Sequence, residues 1–578
     1  MELHYTTERN VQIVIALLKA NNIRKVVASP GTTNITFIGS IMHDPFFEIY
    51  SSVDERSAAY IACGLAEESG EPVAISCTGA TASRNYFSGL TEAFYRHLPI
   101  LAITSTQDES YIGHMKCQVI DRTQQPRDIV KYSVHLQTIK DAKDEWDVVV
   151  KANAAILELN HHGTGPVHIN LTTTYSKDFS VVELPPVRRI RRITHYDTFP
   201  QLPNGRIAVF IGSHLRCSEE LTQAIDAYCS CHNAVVFCEP VSNYHGKYRL
   251  MYQFPGIQRT TDTCKAPDLL IHIGEMSDFA DTYRGAKQVW RVNEDGVIRD
   301  RFQKLTYMFE MPEVEFFKHY VDDSLKGDDS YLKECKENYK RVFSKLPELP
   351  FANLWMVSKL YDKIPDGSEL HLGILNSFRA WSFFEFNNNI DVFCNEGGFG
   401  IDGDMSAMIG ASLVHPDKLY FGIVGDLAFF YDMNVLGNHI VGNNIRLLLV
   451  NNGCGSEFHM KGNPGSVFEP ETDKFMAAGG HFGNKSKDVV RHLTADWGYD
   501  YITASNKEEF ISHLSEFLST EPRDKSLIFE VFTDIPDEVD ALGDMGNAER
   551  NTKAKVKDEL QAIVGEKAVD VIKNILGK

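Results

Sequence analysis

The chain has 578 residues, of which 43% are hydrophobic and 24% are charged, and its formal net charge is −20. This length exceeds what one hydrophobic core usually supports, so we predict a globular protein of about three domains. The negative charge disfavours nucleic acid or a membrane surface as a partner, and no signal peptide or membrane span is evident, so we expect a cytoplasmic protein.

Eleven cysteines are scattered along the chain without the spacing of a disulfide framework. The closest group is Cys229, Cys231 and His232, but it has no second pair of ligands nearby in the sequence. We therefore interpret these residues as buried side chains rather than as a zinc site. This cysteine usage fits a reducing cytosol.

The first elements alternate helix and strand. Apolar residues recur at helical spacing after Thr7, which we expect to cap the first helix. A strand at 25–28 leads into a Ser-Pro-Gly-Thr-Thr-Asn turn that suits either a polar ligand or an ordinary βα connection. Glu55 then begins a helix of small residues, a position that the helix dipole alone would also favour for an acid.

The same alternation continues through the next fifty residues. A strand at 73–76 ends in Cys-Thr-Gly, a helix is predicted at 85–95, and a further strand at 100–104. Repeated strand and helix segments of this length are typical of a parallel, doubly wound sheet.

A later stretch places polar residues at the ends of two apolar runs. The first run ends in Gly425 and Asp426, a segment of helical length follows at 428–441, and the second run ends in Asn451 and Asn452. Parallel strands open their carboxyl ends onto one edge, where carboxylate and amide oxygens suit Mg²⁺ with a diphosphate. Two ordinary turns rich in Gly, Asp and Asn are the alternative interpretation.

Two segments of the chain share one pattern. Residues 57–79 and 406–425 each comprise a small-residue helix, a polar turn with proline, and a strand that ends in glycine. This internal repeat predicts two domains of related architecture, one in each half of the chain.

A set of motifs extends over nearly the whole chain: Ser29-Pro30-Gly31, Asp54-Glu55-Arg56, Cys77-Thr78, Gln118, Asn376-Ser377, Asn395, Gly400-Ile401-Asp402-Gly403, Gly425-Asp426-Leu427 and Asn451-Asn452. In this combination they resemble the thiamine diphosphate enzymes of the pyruvate oxidase and acetolactate synthase type. Within that group they are most similar to the MenD family, the 2-succinyl-5-enolpyruvyl-6-hydroxy-3-cyclohexene-1-carboxylate synthases.

The resemblance implies an α/β protein with three doubly wound parallel-sheet domains. A pyrimidine-binding domain would occupy 1–182, a central domain 183–345 and a diphosphate-binding domain 346–540, with a C-terminal helical extension at 541–578. The central segment has no G-x-G-x-x-G sequence, so we expect neither a nicotinamide nor a flavin there.

The resemblance also implies cofactors and ligands. Enzymes of this family use thiamine diphosphate and Mg²⁺ to decarboxylate a 2-oxo acid and pass the remaining fragment to an acceptor. Asp426, Asn452 and the carbonyl oxygen of Cys454 would bind the metal, and Glu55 would protonate the aminopyrimidine ring. The further implied cofactor-binding residues are Thr78, Gly79, Gly400, Ile401, Gly425, Leu427 and Gly455, with Ile401 holding the cofactor in its bent form.

Because Glu55 in this family serves a cofactor held by Asp426 of another subunit, a homodimer or homotetramer with active sites at the subunit interface is expected.

Glu457 follows the metal-binding turn and is a candidate for acid/base work, with a solvated loop glutamate as the alternative. Gln118 matches a family glutamine that lines the pocket. His459 is a further catalytic candidate, although a structural histidine would give the same pattern.

Several arginines of the MenD family are replaced in this chain. Thr33 and Glu396 stand where the family has arginine, Gln107 and its neighbour replace an Asp-Arg pair, and Arg379 lies two residues out of register. Since guanidinium groups bind carboxylates best, we predict a donor and acceptor other than 2-oxoglutarate and isochorismate. True MenD activity and a catalytically silent, coenzyme-binding paralogue are the alternatives.

Overall fold

The computed structural model describes residues 4–258, 264, 266–277, 283, 285–322, 324–386 and 389–549. Most of the predicted C-terminal extension, 550–578, lies outside the described residues. The chain divides into two compact units. The first unit comprises Met1–Phe199 and Asp295–Glu310, and the second comprises Pro200–Glu294 and Met311–Lys578.

The strands, in chain order, are β1 Lys25–Ala28, β2 Glu48–Ser51, β3 Val73–Cys77, β4 Ile100–Thr106, β5 Tyr132–Leu136, β6 Val167–Thr172, β7 Arg191–Ile193, β8 Ile207–Ile211, β9 Ala234–Cys238, β10 Arg249–Leu250, β11 Leu269–Ile273, β12 Gln288–Val292, β13 Leu305–Phe309, β14 Glu369–Leu372, β15 Asp391–Cys394, β16 Tyr420–Gly425, β17 Ile445–Asn451, β18 Asp500–Ala504 and β19 Leu527–Phe532.

The helices, in chain order, are α1 Arg9–Ala20, α2 Ile35–Ile41, α3 Glu55–Ser69, α4 Thr81–Asn85, α5 Phe87–Tyr95, α6 Ala142–Glu158, α7 Glu219–Cys231, α8 Gln253–Ile257, α9 Glu313–His319, α10 Ser330–Phe343, α11 Asn353–Leu360, α12 Asn376–Trp381, α13 Asp404–Ser412, α14 Asp426–Asp432, α15 Thr472–Phe475, α16 Phe482–Lys485, α17 Val489–Trp497, α18 Lys507–Phe517 and α19 Ile535–Gly546.

The first unit is built on a six-stranded sheet with the order β2-β1-β3-β4-β6-β5, and all of its strand pairs are parallel. Successive residues of a strand face opposite sides of a sheet, so Val26 and Val27 belong to different apolar cores. One core is covered by α1 and α6 and the other by α3 and α5. The central strands β3 and β4 are buried along their whole length, which explains their apolar runs, whereas the edge strand β2 is largely exposed.

The second unit contains a sheet with the order β15-β14-β16-β17-β19-β18, again with parallel pairs throughout. This is the strand order of the first sheet repeated, and it confirms the architecture predicted from the internal repeat. The unit also holds a parallel run of strands, β10-β9-β8-β11-β12. The predicted α/β class with parallel sheets is confirmed.

Two local predictions were wrong. The predicted helix at 428–441 ends at Asp432 and continues as a 3₁₀ segment, Met433–Gly437, because asparagine and glycine recur there. The helix predicted at 85–95 is confirmed as α5, Phe87–Tyr95, and the short helix α4 precedes it. Thr7 does not cap α1, since its hydroxyl lies 3.2 Å from that of Ser176 and Glu8 takes the capping position.

The predicted domain borders at 182, 345 and 540 stay a prediction. A disulfide between Cys264 and Cys335, which the sequence analysis did not predict, occurs in the second unit, and the remaining nine cysteines form no disulfide in the described structure. Among the described residues, no helix combines the length and the apolar character needed to cross a membrane.

Candidate active site

The carboxyl edge of the second unit's six-stranded sheet brings the predicted metal ligands together. β16 ends at Gly425, which is paired in register with Val450 of β17, so Asp426 and Asn452 emerge side by side. Both residues line a pocket of about 220 Å³. The other predicted site residues that line this pocket are Ile401, Gly425, Leu427, Cys454, Gly455 and Glu457.

The carboxylate of Asp426 is fixed by neighbouring donors. Its Oδ2 accepts hydrogen bonds from the amide of Gly453 at 2.8 Å and from His481 Nε2 at 2.7 Å, and its Oδ1 accepts one from the amide of Leu427 at 3.1 Å. His481 Nδ1 accepts a bond from the amide of Gly483, so Nε2 carries the proton that His481 donates. Sequence analysis missed His481, 55 residues downstream in an irregular segment.

These residues fit a hard cation and a diphosphate. Asp426 is 2% exposed, and its hydrogen-bond donors in the described part of the chain are amides and a neutral imidazole rather than lysine or arginine. Its charge therefore has no full cationic partner, which suits a metal bound also by amide and carbonyl oxygens. A Cβ atom added at Gly425 would meet no atom within 4 Å, which leaves space beside the backbone for a ligand.

Glu457 is held by an arginine at this pocket. Arg379 Nη1 donates to Glu457 Oε2 at 2.8 Å and to Asn376 Oδ1 at 2.9 Å. The side chains of Arg379 and Glu457 are 20% and 22% exposed. Glu457 is therefore an ion-paired residue of the pocket wall, and the interpretation as a solvated loop glutamate does not hold.

His459 occupies a different environment. Its Nδ1 lies 3.0 Å from Glu469 Oε1 and its Nε2 lies 2.8 Å from Asp473 Oδ1. It is not among the residues that line the 220 Å³ pocket, and neither is Gly400, which precedes Ile401. Both ring nitrogens of His459 thus face carboxylates, and Nε2 also lies 3.8 Å from the sulfur of Cys454, which lines the pocket. The catalytic role of His459 stays a prediction.

A buried carboxyl group that sequence analysis missed also lines the pocket. Glu538 of α19 accepts hydrogen bonds from the amide of Asn353 at 3.1 Å and from the hydroxyl of Thr533 at 2.7 Å. Burial raises the pKa of Glu538 to about 7, against the opposing effect of these donors. This carboxyl group therefore holds a proton over a pH range in which an ordinary glutamate is ionised.

The first unit presents the predicted pyrimidine-binding residues. Glu55 is the first residue of α3, where Asp54 caps the helix by accepting a bond from the amide of Arg56 at 2.9 Å. Glu55 Oε2 accepts a bond from Asn85 Nδ2 at 3.0 Å, and the residue is half-buried. Sequence analysis did not identify Asn85, whose α4 position places its amide beside the start of α3.

The turn after β3 lies beside the Ser-Pro-Gly turn after β1. The hydroxyl of Thr78 lies 2.7 Å from that of Thr33, and a Cβ at Gly79 would lie 3.0 Å from the carbonyl oxygen of Gln118. Glycine at 79 thus allows the backbone of Gln118 to approach closely. Arg122, another residue that was missed, donates to Thr78 O at 3.4 Å, and burial lowers its pKa to about 10.

The second unit places a carboxylate and an amide at the carboxyl edge of a parallel sheet. The first unit has a sheet of the same strand order and a glutamate at the start of a helix. This combination is typical of thiamine diphosphate enzymes. In agreement, residues 9–127 match the family model described as "Thiamine pyrophosphate enzyme, N-terminal TPP binding domain".

The chain belongs to the family of 2-succinyl-5-enolpyruvyl-6-hydroxy-3-cyclohexene-1-carboxylate synthases, which use thiamine diphosphate with a divalent metal such as Mg²⁺. It is 30% identical to the synthase of Bacteroides thetaiotaomicron over 558 residues, which cover 92% of this chain and 96% of the relative. It is also 30% identical to the synthase of Phocaeicola vulgatus over 554 residues, with the same coverage of both chains. The synthase of Porphyromonas gingivalis is 27% identical over 587 aligned positions.

Proposed function

We propose that this enzyme decarboxylates a 2-oxo acid and joins the remaining fragment to an acceptor, with a substrate pair different from that of its named relatives. The observation that carries this proposal is the ion pair between Arg379 and Glu457. A guanidinium group that is already bound by a carboxylate of the same protein is a poor site for a substrate carboxylate. The pocket therefore favours a substrate with fewer negative charges at this position.

The environment of Thr33 supports the same conclusion. Thr33 is 2% exposed, and its hydroxyl contacts Thr78 Oγ1 and donates to the carbonyl oxygen of Ser105 at 3.0 Å. It is therefore a buried, hydrogen-bonded residue that supplies no positive charge where the family has arginine. At these two positions, therefore, a cation that could have bound a polycarboxylate is either absent, as at Thr33, or already ion-paired, as at Arg379.

The roles of the site residues follow from their positions. When bound, the coenzyme supplies a carbon centre that stabilises the negative charge left after CO₂ departs. Asp426, Asn452 and the carbonyl oxygen of Cys454 would hold the metal and, through it, the diphosphate. Leu427 and Ile401 would pack against the coenzyme from the pocket wall.

Two carboxyl groups have separate proposed tasks. Glu55 would hold the proton that the aminopyrimidine ring of the coenzyme shares, and Asn85 keeps its Oε2 in place. Glu457 would exchange a proton with, or accept a hydrogen bond from, a hydroxyl or amino group of the acceptor. Because Arg379 is bonded to Glu457 Oε2, we assign contact with the acceptor to Oε1. Gln118 would contribute its side-chain amide to substrate binding.

We also propose that the working enzyme is a homodimer or homotetramer whose active sites are shared between copies. Large apolar side chains near both sets of site residues are exposed in the single chain, including Tyr60 and Ile61 on α3 and Phe475 and Phe482 in the second unit. Exposed apolar groups of this kind are typical of surfaces that another subunit covers. Light scattering after gel filtration would give the mass of the assembly.

The domain assignment completes this proposal. Residues 1–182 would bind the pyrimidine ring, residues 183–345 would form the central domain, and residues 346–540 would bind the diphosphate and metal. The predicted site residues are consistent with this division, since Glu55, Thr78 and Gly79 fall in the first span and Asp426 and Asn452 in the third.

A screen for CO₂ release across small 2-oxo acids, with Mg²⁺ and thiamine diphosphate present and with and without candidate acceptors, tests the substrate proposal. We expect monocarboxylic donors to be used better than 2-oxoglutarate. A Glu457→Gln variant should raise the kcat/KM ratio of 2-oxoglutarate to the best monocarboxylic donor by about 10-fold, because Arg379 becomes free to bind a second carboxylate. Glu471→Gln, which changes an exposed glutamate near the same loop, is the matched control.

The second candidate function is that of the named relatives, and the 30% identity over 92% of this chain favours it. Incubation with 2-oxoglutarate and isochorismate separates the two candidates. Efficient use of this pair by the unmodified enzyme would refute the different-substrate proposal. Use of another pair, with only slow turnover of 2-oxoglutarate and isochorismate, would support it.

A further inference from the structure

The first unit contains a second group of metal-binding side chains. We propose that His161, His162 and Glu310 bind a divalent transition-metal ion, preferably Zn²⁺. His161 and His162 lie in the loop that follows α6, and Glu310 lies directly after β13. One ligand atom from each of the three residues lies within 4.8 Å of the others.

The ligand atoms of this group lie close enough together for one ion to reach all three residues. His161 Nε2 lies 3.2 Å from Glu310 Oε2, and His162 Nε2 lies 2.5 Å from Glu310 Oε1. Two ligand atoms bound to one tetrahedral Zn²⁺ at about 2.0–2.2 Å are separated by about 3.3–3.6 Å. The 3.2 Å separation is close to that value. The 2.5 Å contact is a direct hydrogen bond, which a metal ion would replace after the exposed His162 side chain rotates away from Glu310.

The hydrogen bonding around His161 leaves one nitrogen for a metal. Its Nδ1 lies 2.9 and 3.0 Å from the two carboxylate oxygens of Glu158, the last residue of α6. A proton on Nδ1 is therefore shared with Glu158, and Nε2 keeps its lone pair. In metal sites a carboxylate commonly orients a ligating histidine in this way.

Two buried atoms of the cluster have no hydrogen-bond partner in the described structure, namely His161 Nε2 and Glu310 Oε2. Their side chains are only 12% and 11% exposed. Two facing acceptors that lack a donor are unfavourable at this degree of burial. A cation between them would satisfy both atoms.

The nearby arginine does not fill this role. Arg192 donates to Glu158 Oε1 at 2.8 Å and to the carbonyl oxygen of Gly296 from two nitrogens, at 3.0 and 3.1 Å. It also donates to the carbonyl oxygen of Leu157 at 3.3 Å, whereas its distance to Glu310 Oε2 is 3.6 Å. The guanidinium group is thus hydrogen-bonded to other acceptors. Its 3.6 Å distance from Glu310 leaves that carboxylate able to attract a metal ion.

The cluster opens onto a cavity of about 490 Å³, which His161, His162, Arg192 and Glu310 help to line. This cavity gives an ion a route to the site and room for a water molecule as fourth ligand. A bound metal would connect the loop after α6 to the end of β13, two segments about 150 residues apart in the sequence. Binding should therefore stabilise the first unit against unfolding.

Zinc binding to the chelator-treated full-length protein tests the proposal. Mg²⁺ and thiamine diphosphate are kept saturating, and Zn²⁺ is measured by competition with a chromophoric chelator. We expect one Zn²⁺ per chain to bind with micromolar or tighter affinity and to raise the melting temperature. His162→Ala and Glu310→Gln should each weaken binding by about 10-fold or more. His492→Ala, which removes an exposed histidine of α17, should leave the affinity unchanged.

Co²⁺ provides an independent measurement, because coordination by nitrogen and oxygen in a tetrahedral site gives visible absorption bands that a surface-bound ion lacks. The bands should appear with the wild-type protein and be lost in His162→Ala, a change at an exposed side chain that should not affect folding. Absence of stoichiometric Zn²⁺ binding, or equal affinity in the wild type and both cluster variants, would overturn the proposal.

Discussion

The two six-stranded sheets have the same strand order but differ at their ligand-binding edges. In the second unit, Asp426 is almost completely buried, and a pocket formed by residues of that unit alone surrounds it. In the first unit, Glu55 is half-buried and Gln118 is exposed. One copy of a shared architecture therefore encloses its polar residues in a pocket, while the other leaves the corresponding residues more exposed. This difference is what we expect if a second subunit covers Glu55 and Gln118, as proposed above.

Hydrogen bonding shows the same contrast. Asp426 receives three donors from its own unit, including His481. Glu55 accepts one side-chain hydrogen bond within the described part of the chain, from Asn85. This difference is consistent with the separate tasks proposed for the two residues, namely metal binding at Asp426 and proton transfer at Glu55.

The largest effect is expected for Glu55→Gln. Removing the carboxyl proton should lower kcat by about 100-fold to 10,000-fold, the range of general acid-base catalysis, while coenzyme binding measured by titration calorimetry stays nearly normal. Glu68→Gln, an exposed change on the same helix, is the control. A Glu55→Gln enzyme with full turnover would show that the first unit has no proton-transfer role.

Asp426→Asn should impair coenzyme binding, whereas Glu55→Gln should impair the catalytic rate. Without the carboxylate, affinity for Mg²⁺ and thiamine diphosphate should fall by more than about 100-fold, and saturating coenzyme should restore part of the activity. Asp417→Asn, at an exposed loop position, should bind normally. Unchanged binding heat for Asp426→Asn would contradict the assignment of the enclosed edge as the metal site.

His481→Ala tests how much the hydrogen bond from His481 to Asp426 contributes to Mg²⁺ affinity. Loss of the 2.7 Å hydrogen bond to Asp426 should weaken Mg²⁺ affinity by about 10-fold without changing kcat at saturating metal. Coenzyme binding followed at several Mg²⁺ concentrations would measure this shift, with His492→Ala as the control. A lower kcat with unaltered Mg²⁺ dependence would assign His481 a different role.

A smaller effect concerns the pocket wall at Glu538. Its pKa is raised to about 7, so the folded protein keeps a proton that an unfolded chain, with an ordinary carboxyl pKa near 4.5, has released. The free energy of unfolding should therefore decrease as pH rises from about 4.5 to about 7. Glu538→Gln should remove this part of the dependence. Melting temperatures of both proteins across this range should differ in slope, and parallel curves would contradict the burial effect.

The sequence predicted those features that depend on local pattern. Alternating elements predicted the parallel sheets, and polar residues at strand ends predicted that Asp426 and Asn452 would be neighbours, because parallel register fixes where strands end. The helix at 428–441 was predicted too long, since tertiary context and the asparagines near its centre ended it after Asp432.

Features that depend on long-range contact could not be predicted in this way. His481 and Glu538 reach the pocket from segments without a distinctive motif, and neither is adjacent in sequence to Asp426. The pairing of Arg379 with Glu457 joins residues 78 positions apart. Each residue was noted individually in the sequence, but only the structure shows that one neutralises the other.

Mixing two impaired variants, assayed at a coenzyme concentration too low to restore Asp426→Asn, tests the central claim most directly. Glu55→Gln and Asp426→Asn subunits, dissociated and reassembled together, should form mixed dimers in which one active site has both wild-type residues. We predict recovery of about one quarter of wild-type activity, since random pairing makes half of the dimers mixed and each has one intact site. If mixed dimers form, as shown by differently tagged subunits, but activity stays at the level of the separate variants, the sharing of Glu55 and Asp426 between copies is contradicted.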